Sequence, residues 1–265
     1  MPDRRRLVAH YHIYKVAGST IDHGLRACFG ADRVIELDRH DAYKGARAYN
    51  ISIVERAAEE NPDLAAVSAH TMVANTHFST KLDVFPIAFV RHPLLRTMSA
   101  WRFERLGGGG LPRTRQAKEK DFGDWIEWCL SDEQLVEARN YQSRLLSISD
   151  EGAISYEARG GILRADLDLV FSRLDAMPIV GVVEHFDRSI DAINAAGRRV
   201  FPEFAIPLAQ RNVTKVIEDW QAEVMAAERL LSPRLLIRYW DANEDDLALW
   251  TRYRDRLLQR IGEAA

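Results

Sequence analysis

A lysine, a glycine and two hydroxyl residues lie close together near the start of the chain, in an order that suits the binding of an anion. In the segment HIYKVAGSTI, Lys15 offers a positive charge and Gly18 allows the backbone to approach a ligand closely. Ser19 and Thr20 add two hydroxyl donors. A turn between a strand and a helix points its backbone N–H groups at one spot, where a phosphate or sulfate binds. An ordinary turn with a capping serine and a surface lysine has the same pattern, so this segment alone leaves both interpretations open.

The order of these residues argues against a loop for nucleoside triphosphates. That motif reads G-x-x-x-x-G-K-[ST], with the lysine after the glycines and a hydroxyl placed for Mg²⁺. Here Lys15 comes before Gly18. We therefore expect an anion to be held by side-chain cations and backbone N–H groups, with no metal.

A second candidate anion site lies in the segment VRHPLLRTMSAW. Arg91 follows a strongly β-prone run, and Ser99 stands eight residues later, a little over two helical turns away. Both can reach one phosphate if Arg91 precedes the helix and its side chain extends along it. A helix that begins with arginines on a solvated face explains this block equally simply when it is taken alone.

Strand candidates alternate with helical patterns in the first half of the chain, which predicts an α/β fold with a parallel sheet covered on both faces. In such sheets, ligands bind at the carboxyl ends of the strands. Lys15, His70 and Arg91 each follow a strand candidate, so we expect them to meet at that edge. The strand candidates are residues 7–13, 33–37, 64–70, 84–90 and 178–183.

Helical spacing is predicted for the remaining parts of the chain, and the carboxyl-terminal half is expected to be largely helical. The helix after the first strand is expected to be capped by Ser19 or Thr20, with Asp22 adding negative charge to its first turn. The other helix candidates are residues 43–60, 94–101, 122–130, 133–146, 161–174, 185–199, 218–231 and 243–261, and residues 200–216 are expected to form a loop.

One segment, residues 105–120, is glycine-rich and then basic, and its lack of apolar periodicity predicts a mobile loop. Positive residues outnumber negative ones around it, so it is either a lid over an acidic or sugar acceptor or a solvated loop. The positive residues between 102 and 120 are Arg102, Arg105, Arg113, Arg115, Lys118 and Lys120, against Glu104 and Glu119.

Composition sets broad limits on the protein. The 265 residues are 47% hydrophobic and 28% charged, with a formal net charge of −3, so a soluble core is expected and a general nucleic-acid or membrane binder is not. No apolar run is long enough for a membrane span, and a single cytoplasmic domain over residues 1–265 is expected. Cys28 and Cys129 are far apart; free thiols are expected, and one disulfide stays open.

Together, the two anion blocks resemble the sulfotransferase superfamily, most closely the branch that includes heparan-sulfate 2-O-sulfotransferases and bacterial carbohydrate sulfotransferases. That branch opens with H-I-P-K-T-G-G-T-S, to which residues 12–20 are similar, and carries R-D-P-x-x-R-x-x-S-x-[YW], to which residues 91–101 are similar. The chain departs from these patterns at Tyr14, Val16, Ala17 and His92. Weaker landmarks extend the resemblance over nearly the whole chain: NYQSRLL (140–146), VGVVEHFDRSI (180–190), RNVTK (211–215) and NEDDLALW (243–250).

The resemblance implies a P-loop-like fold that binds 3′-phosphoadenosine 5′-phosphosulfate (PAPS) and releases adenosine 3′,5′-bisphosphate (PAP). Arg91 and Ser99 would hold the 3′-phosphate. The expected acceptor is a hydroxyl group, on a carbohydrate in this branch, and neither nucleic acid nor a metal is expected to take part. The residues that would hold the 5′-phosphosulfate are Lys15, Ala17, Gly18, Ser19 and Thr20.

The implied reaction needs a base, and the resemblance places it on the histidine that follows the third strand candidate. His70 occupies that position, and an ordinary histidine pKa near 6.5 suits the role. Lys15 would stabilise the charge of the transition state. A structural role for His70 stays open, as do two alternative functions: a nucleotide-dependent small-molecule kinase and a non-catalytic sulfotransferase-like binding protein.

Overall fold

A five-stranded parallel sheet forms the centre of the computed structural model, which describes residues 4–75, 79–107, 111–132, 135–150, 152, 156–159, 162–208 and 219–262. The predicted α/β class with a central parallel sheet is therefore confirmed. The strands of this sheet are β1 (Arg5–Tyr11), β2 (Val34–Glu36), β3 (Ala66–Ala69), β4 (Leu82–Val90) and β7 (Val180–Val182), in the spatial order β2-β3-β1-β4-β7.

Helices cover the sheet and make up most of the carboxyl-terminal half, as predicted. Near-continuous burial of β1 and β4 is typical of parallel strands that are covered on both faces. The helices are α1 (Gly18–Phe29), α2 (Ile51–Glu60), α3 (Pro93–Leu106), α4 (Pro112–Glu119), α5 (Phe122–Cys129), α6 (Tyr141–Leu146), α7 (Leu167–Asp175), α8 (Phe186–Gly197), α9 (Trp220–Glu228), α10 (Pro233–Ala242) and α11 (Glu244–Arg260).

Two apolar clusters hold these elements together. The larger one surrounds the sheet, and the smaller one joins α3, α5, α9 and α10, with Trp125 and Tyr239 fully buried in it. None of the helices that the structure describes has the length and apolar character that a membrane crossing requires. Cys28 and Cys129 are both free thiols.

The segment predicted as a mobile loop, residues 105–120, contains helix α4. Pro112 occupies the first helical turn, and the buried side chains of Thr114 and Ala117 pack one face of the helix into the protein. The guanidinium of Arg105 donates hydrogen bonds to the carbonyls of Ala117 and Lys120. Two small buried residues three positions apart are too weak an apolar signal for the sequence to reveal this helix.

Several predicted boundaries were wrong in the same way, because apolar spacing was extended across turns. The helix predicted over 43–60 begins only at Ile51, where Asn50 caps it. Of the helix predicted over 133–146, the described residues 135–146 are helical only in α6. The helix predicted over 161–174 includes a strand, β6 (Ile162–Ala165), which pairs with β5 (Tyr156–Arg159) and precedes α7. Helix α10 was not predicted. Residues 209–218, with the RNVTK landmark, lie outside the described residues.

The turn between β1 and α1 has an unusual backbone that no side chain caps. Lys15 has a φ of 64° and Ala17 a φ of 60°, both in the left-handed region, and α1 then begins at Gly18. Alternation between left-handed and helical residues curves the backbone so that successive N–H groups face one concave side, which suits an anion. The predicted capping by Ser19 or Thr20 was wrong, because the helix begins before both residues.

The left-handed conformation of Ala17 predicts that Ala17→Gly stabilises the protein. A left-handed backbone costs an alanine roughly 1–2 kcal/mol. Replacement by glycine removes this cost, but it also makes the unfolded chain more flexible, which reduces the net stabilisation. We expect the free energy of unfolding to rise by about 0.5–1 kcal/mol, measured by denaturant titration. The matched control is Ala192→Gly inside α8, which should lower it by about 1 kcal/mol. Equal losses in both variants would show that the strain at Ala17 has no energetic consequence.

Candidate functional site

The structure brings the two anion blocks into direct contact at the carboxyl edge of the sheet. Strand β1 lies between β3 and β4, so the segments that follow these three strands are neighbours. The Nη1 group of Arg91 donates a hydrogen bond to the carbonyl of Lys15 at 3.1 Å. His70 follows β3 on the other side of β1. Lys15, His70 and Arg91 therefore lie along one edge of the sheet, in the arrangement predicted from the sequence.

The amine of Lys15 is half-buried and close to other positive charge. Its Nζ atom lies 4.2 Å from the centre of the Phe103 ring. Burial, followed by the positive charge of Arg91, lowers the pKa of Lys15 to about 8, and the carboxylate of Glu104 opposes this shift only in part. A cation in this state gains more from a bound anion than an exposed lysine does.

Arg91 is held in place by its own backbone and by a buried carboxylate. The side chain of Gln142 accepts from the N–H of Arg91 and donates to its carbonyl, both at 2.8 Å. Glu184 is fully buried, and its Oε1 lies 3.8 Å from Nε of Arg91. Burial lowers the pKa of Arg91 and raises that of Glu184, and each charge opposes the shift of the other. The buried Nε of Arg91 faces this carboxylate beyond hydrogen-bond distance and has no hydrogen-bond partner among the described residues.

The carboxylate of Glu184 also lies beside one departure from the pattern that residues 91–101 resemble. Where that pattern has an aspartate after the arginine, this chain has His92. The backbone N–H of His92 is shared between the two carboxylate oxygens of Glu184, at 3.2 and 3.3 Å, and Trp250 donates to Glu184 at 2.9 Å. The side chain of His92 lies among tryptophans instead, and burial lowers its pKa to about 3.

The remaining predicted anion ligands differ in exposure. Ser19 is exposed on the first turn of α1, whereas Thr20 is buried. Ser99 is buried on α3. At about 1.5 Å per helical residue, Ser99 lies roughly 12 Å along the chain from Arg91, so only the long side chain of Arg91 allows the two to share a ligand. The role of Ser99 stays a prediction.

His70 is the most accessible histidine at this edge. Its side chain is 43% exposed, and Nδ1 lies 4.0 Å from a carboxylate oxygen of Asp38. Burial and the neighbouring His12 lower the pKa of His70, and Asp38 and Asp22 act in the opposite direction with smaller effect. The imidazole is therefore unprotonated at neutral pH, as a base must be.

A buried cluster beneath the turn was missed by the sequence analysis. Nδ1 of His10 and Nδ1 of His12 contact the two carboxylate oxygens of Asp22 at 2.6 and 2.7 Å. The prediction that Asp22 lies in the first turn of α1 was wrong. Asp22 lies further along the helix, on the face that is buried against the sheet. Its spacing from Leu25 and Phe29, three and seven residues later, is the signal that could have revealed this orientation.

The cluster has the residue types of a metal site but the distances of hydrogen bonds. Imidazole and carboxylate are common zinc ligands, and two ligands that each lie about 2.0 Å from a tetrahedral zinc are roughly 3.3 Å apart. The separations of 2.6 and 2.7 Å from Asp22 to His10 and His12 are shorter than this. We therefore interpret the cluster as a buried carboxylate with two imidazole donors.

The basic residues near α4 are partly used for packing. Arg113 donates to Glu104 at 2.8 Å, and Tyr14 donates to the same carboxylate at 2.8 Å, so Glu104 links the anion turn to α4. Arg115 and Lys118 remain exposed on α4. These two positive charges are open to an incoming molecule, as is the exposed carboxylate of Glu119.

Comparison with known proteins adds a relative but no activity. No family model matches the chain. The chain is similar to an uncharacterized protein of Archaeoglobus fulgidus, with 28% identity over 265 residues that cover 95% of this chain and 97% of the archaeal one. The similarity thus extends along nearly the full length of both proteins.

The lowered pKa of Lys15 predicts that anion binding weakens at alkaline pH. The amine is charged below about pH 8 and neutral above it, so the dissociation constant for sulfate should be constant at lower pH and increase above about pH 8. The increase is at most about tenfold per pH unit for one titrating group. Isothermal titration calorimetry at fixed ionic strength measures it, and sulfate itself does not titrate in this range.

Two variants isolate the contribution of Lys15. Lys15→Arg keeps its charge and should remove the alkaline increase, whereas Lys44→Arg, at an exposed lysine away from the site, should leave the wild-type profile. A wild-type affinity that does not change between about pH 7 and pH 10 would contradict the assignment of Lys15 as an anion ligand.

Proposed function

We propose that this protein is a sulfotransferase that moves a sulfuryl group from PAPS to a hydroxyl of a carbohydrate or related acceptor. The observation that carries the proposal is the contact between the two anion blocks, in which Arg91 donates to the carbonyl of Lys15 at 3.1 Å. Two half-buried cations from distant parts of the chain thus share one edge of the sheet. PAPS carries anionic groups at both ends, and this pair of cations suits such a ligand.

The binding scheme assigns each end of PAPS to one block. The turn from Lys15 to Thr20 holds the 5′-phosphosulfate through the backbone N–H groups of Gly18 and Ser19 and the lysine amine. Arg91 with Ser99 holds the 3′-phosphate. The left-handed residues of the turn and the position of the Arg91 guanidinium beside that turn support this scheme. The similarity of residues 12–20 and 91–101 to the two family patterns supports the choice of nucleotide.

The chain then supplies a base and a charge-stabilising group. His70 accepts the proton of the acceptor hydroxyl while the hydroxyl oxygen forms a bond to sulfur and the bond from sulfur to the bridging phosphate oxygen breaks. Lys15 and the N–H groups of Gly18 and Ser19 stabilise the negative charge that develops on the bridging and equatorial oxygens. PAP leaves with the electron pair of the broken bond, so charge and atoms balance.

The acceptor is proposed on a different basis from the cofactor. A carbohydrate is implied by the resemblance alone, and the exposed Arg115 and Lys118 on α4 offer charges to an acidic one. The ring of Phe103, which is 48% exposed beside Lys15, offers a flat surface on which a sugar or another ring can pack.

Ligand binding separates this proposal from a kinase. PAP should raise the melting temperature of the protein without added metal, and ATP with Mg²⁺ should raise it less, because the order of Lys15 and Gly18 does not suit a triphosphate. Differential scanning fluorimetry measures both. Stabilisation by ATP with Mg²⁺ and none by PAP would favour the kinase. Stabilisation by PAP without turnover would favour the non-catalytic binding protein.

Sulfuryl transfer tests the assigned catalytic residues. With labelled PAPS and a panel of carbohydrate acceptors, His70→Asn should lower kcat by about 10²–10⁴-fold and leave the affinity for PAP within about twofold. Lys15→Ala should lower the rate by an amount that corresponds to roughly 3–4 kcal/mol. His40→Asn, at an exposed histidine, is the matched control and should keep full activity. Full transfer by Lys15→Ala would contradict the mechanism.

A further inference from the structure

The buried carboxylate of Asp22 is fixed from two sides by imidazoles of the β1 segment. His10 and His12 are two residues apart and project from the same face of the sheet, against which α1 packs Asp22. Burial alone would raise the pKa of Asp22, but the two imidazoles outweigh it and hold that pKa well below the usual range. Because an ionised carboxylate only accepts hydrogen bonds, both imidazoles carry a proton on Nδ1.

His12 contacts the anion turn with the opposite edge of its ring. A Cβ atom added to Gly18 would lie 2.0 Å from Cδ2 and 2.3 Å from Nε2 of His12, so the imidazole occupies the space in which any other residue would have a side chain. Position 18 therefore requires glycine because of His12. The position of the turn relative to the sheet therefore depends on the position of the His12 ring, against which Gly18 packs.

His12 also contacts the proposed base. The ring centres of His12 and His70 are 4.1 Å apart, with their planes at 71°. The backbone N–H of His12 donates to the carbonyl of Ala69, the residue before His70, at 3.0 Å. The His12 side chain thus contacts three groups: Gly18 of the anion turn, the ring of His70 and the carboxylate of Asp22.

We infer that His12 and Asp22 are positioning residues that couple the anion turn to His70. Asp22 fixes the tautomer and orientation of the His12 ring, and this ring sets the place of Gly18 and of the His70 imidazole. The inference rests on the proposed function, because positioning matters only if the turn binds the cofactor and His70 takes the proton. Neither residue touches substrate in this scheme.

Titration of His70 in the free protein tests the coupling without any turnover. Four groups act on His70: His12 and Arg39 lower its pKa, and Asp38 and Asp22 raise it. Asp22→Asn should therefore shift the pKa of His70 downward and His12→Gln should shift it upward, as followed by NMR of the imidazole signals. His23→Gln, on the same helix and outside the cluster, is the control and should leave it unchanged.

The two shifts show whether the cluster acts on His70 at all, and cofactor binding and turnover then show whether it positions the site. An unchanged pKa of His70 in the folded variants, or shifts in the same direction in both, would overturn the inference. If Asp22→Asn does not fold, His12→Gln decides alone, because only a rise in the pKa of His70 supports the coupling. Glutamine keeps a side-chain N–H that can donate to Asp22, which favours a folded variant.

Cofactor binding provides a second measurement. Asp22→Asn should weaken PAP binding and lower kcat, each by about tenfold to a hundredfold, because small displacements of positioned groups have effects of this size. His23→Gln should change neither. If wild-type protein neither binds PAP nor transfers sulfuryl groups, the proposed function is wrong, and the titration of His70 still reports whether the cluster acts on it. Unchanged PAP affinity and kcat in Asp22→Asn, with transfer intact in the wild type, would overturn the inference.

Discussion

Everything else at the candidate site depends on holding two like charges, those of Lys15 and Arg91, side by side at the edge of the sheet. Burial is unfavourable for both charges, the charge of Arg91 further lowers the pKa of Lys15, and the charges of Arg96 and Arg102 further lower the pKa of Arg91. The fold offsets part of the cost with the carboxylates of Glu104 and Glu184, and Gln142 fixes the backbone of Arg91. The offset is incomplete, because the pKa of Lys15 stays near 8. A bound anion would supply the missing negative charge, which is why we place the ligand there.

The turn that carries Lys15 satisfies two separate backbone requirements with different residues. Left-handed geometry is needed at position 17, and the chain meets it with an alanine that bears the strain. Space is needed at position 18, and only glycine leaves room for the imidazole of His12. The sequence motif suggested that Gly18 allows the approach of a ligand. The structure gives a separate reason for glycine, since the imidazole of His12 occupies the space that a side chain at position 18 would need.

The sequence predicted most of the sheet and the edge where the site lies, because buried strands give strong local signals and parallel topology then fixes which ends meet. It could not predict α4, whose burial depends on the two small residues Thr114 and Ala117. Helix α10 does carry a sequence signal, because Leu235, Tyr239 and Ala242 recur at helical spacing after a serine and a proline, and this signal was missed. The cluster of His10, His12 and Asp22 was missed for a different reason. Each residue is unremarkable in its own segment, and the contact exists only once α1 packs on β1.

The contribution of Glu184 follows from strand pairing rather than from any motif. Strands β4 and β7 are parallel, and Val90 pairs with Val182. Two residues beyond this pair, the same register brings His92 beside Glu184, whose carboxylate accepts the backbone N–H of His92 and lies near Arg91. A carboxylate absent from the segment around Arg91 is therefore supplied by the adjacent strand end. Arg91 and Glu184 are neighbours in space but lie more than ninety residues apart along the chain. A residue that departs from a sequence pattern at the edge of a sheet therefore has to be judged together with the residues that follow the neighbouring strands.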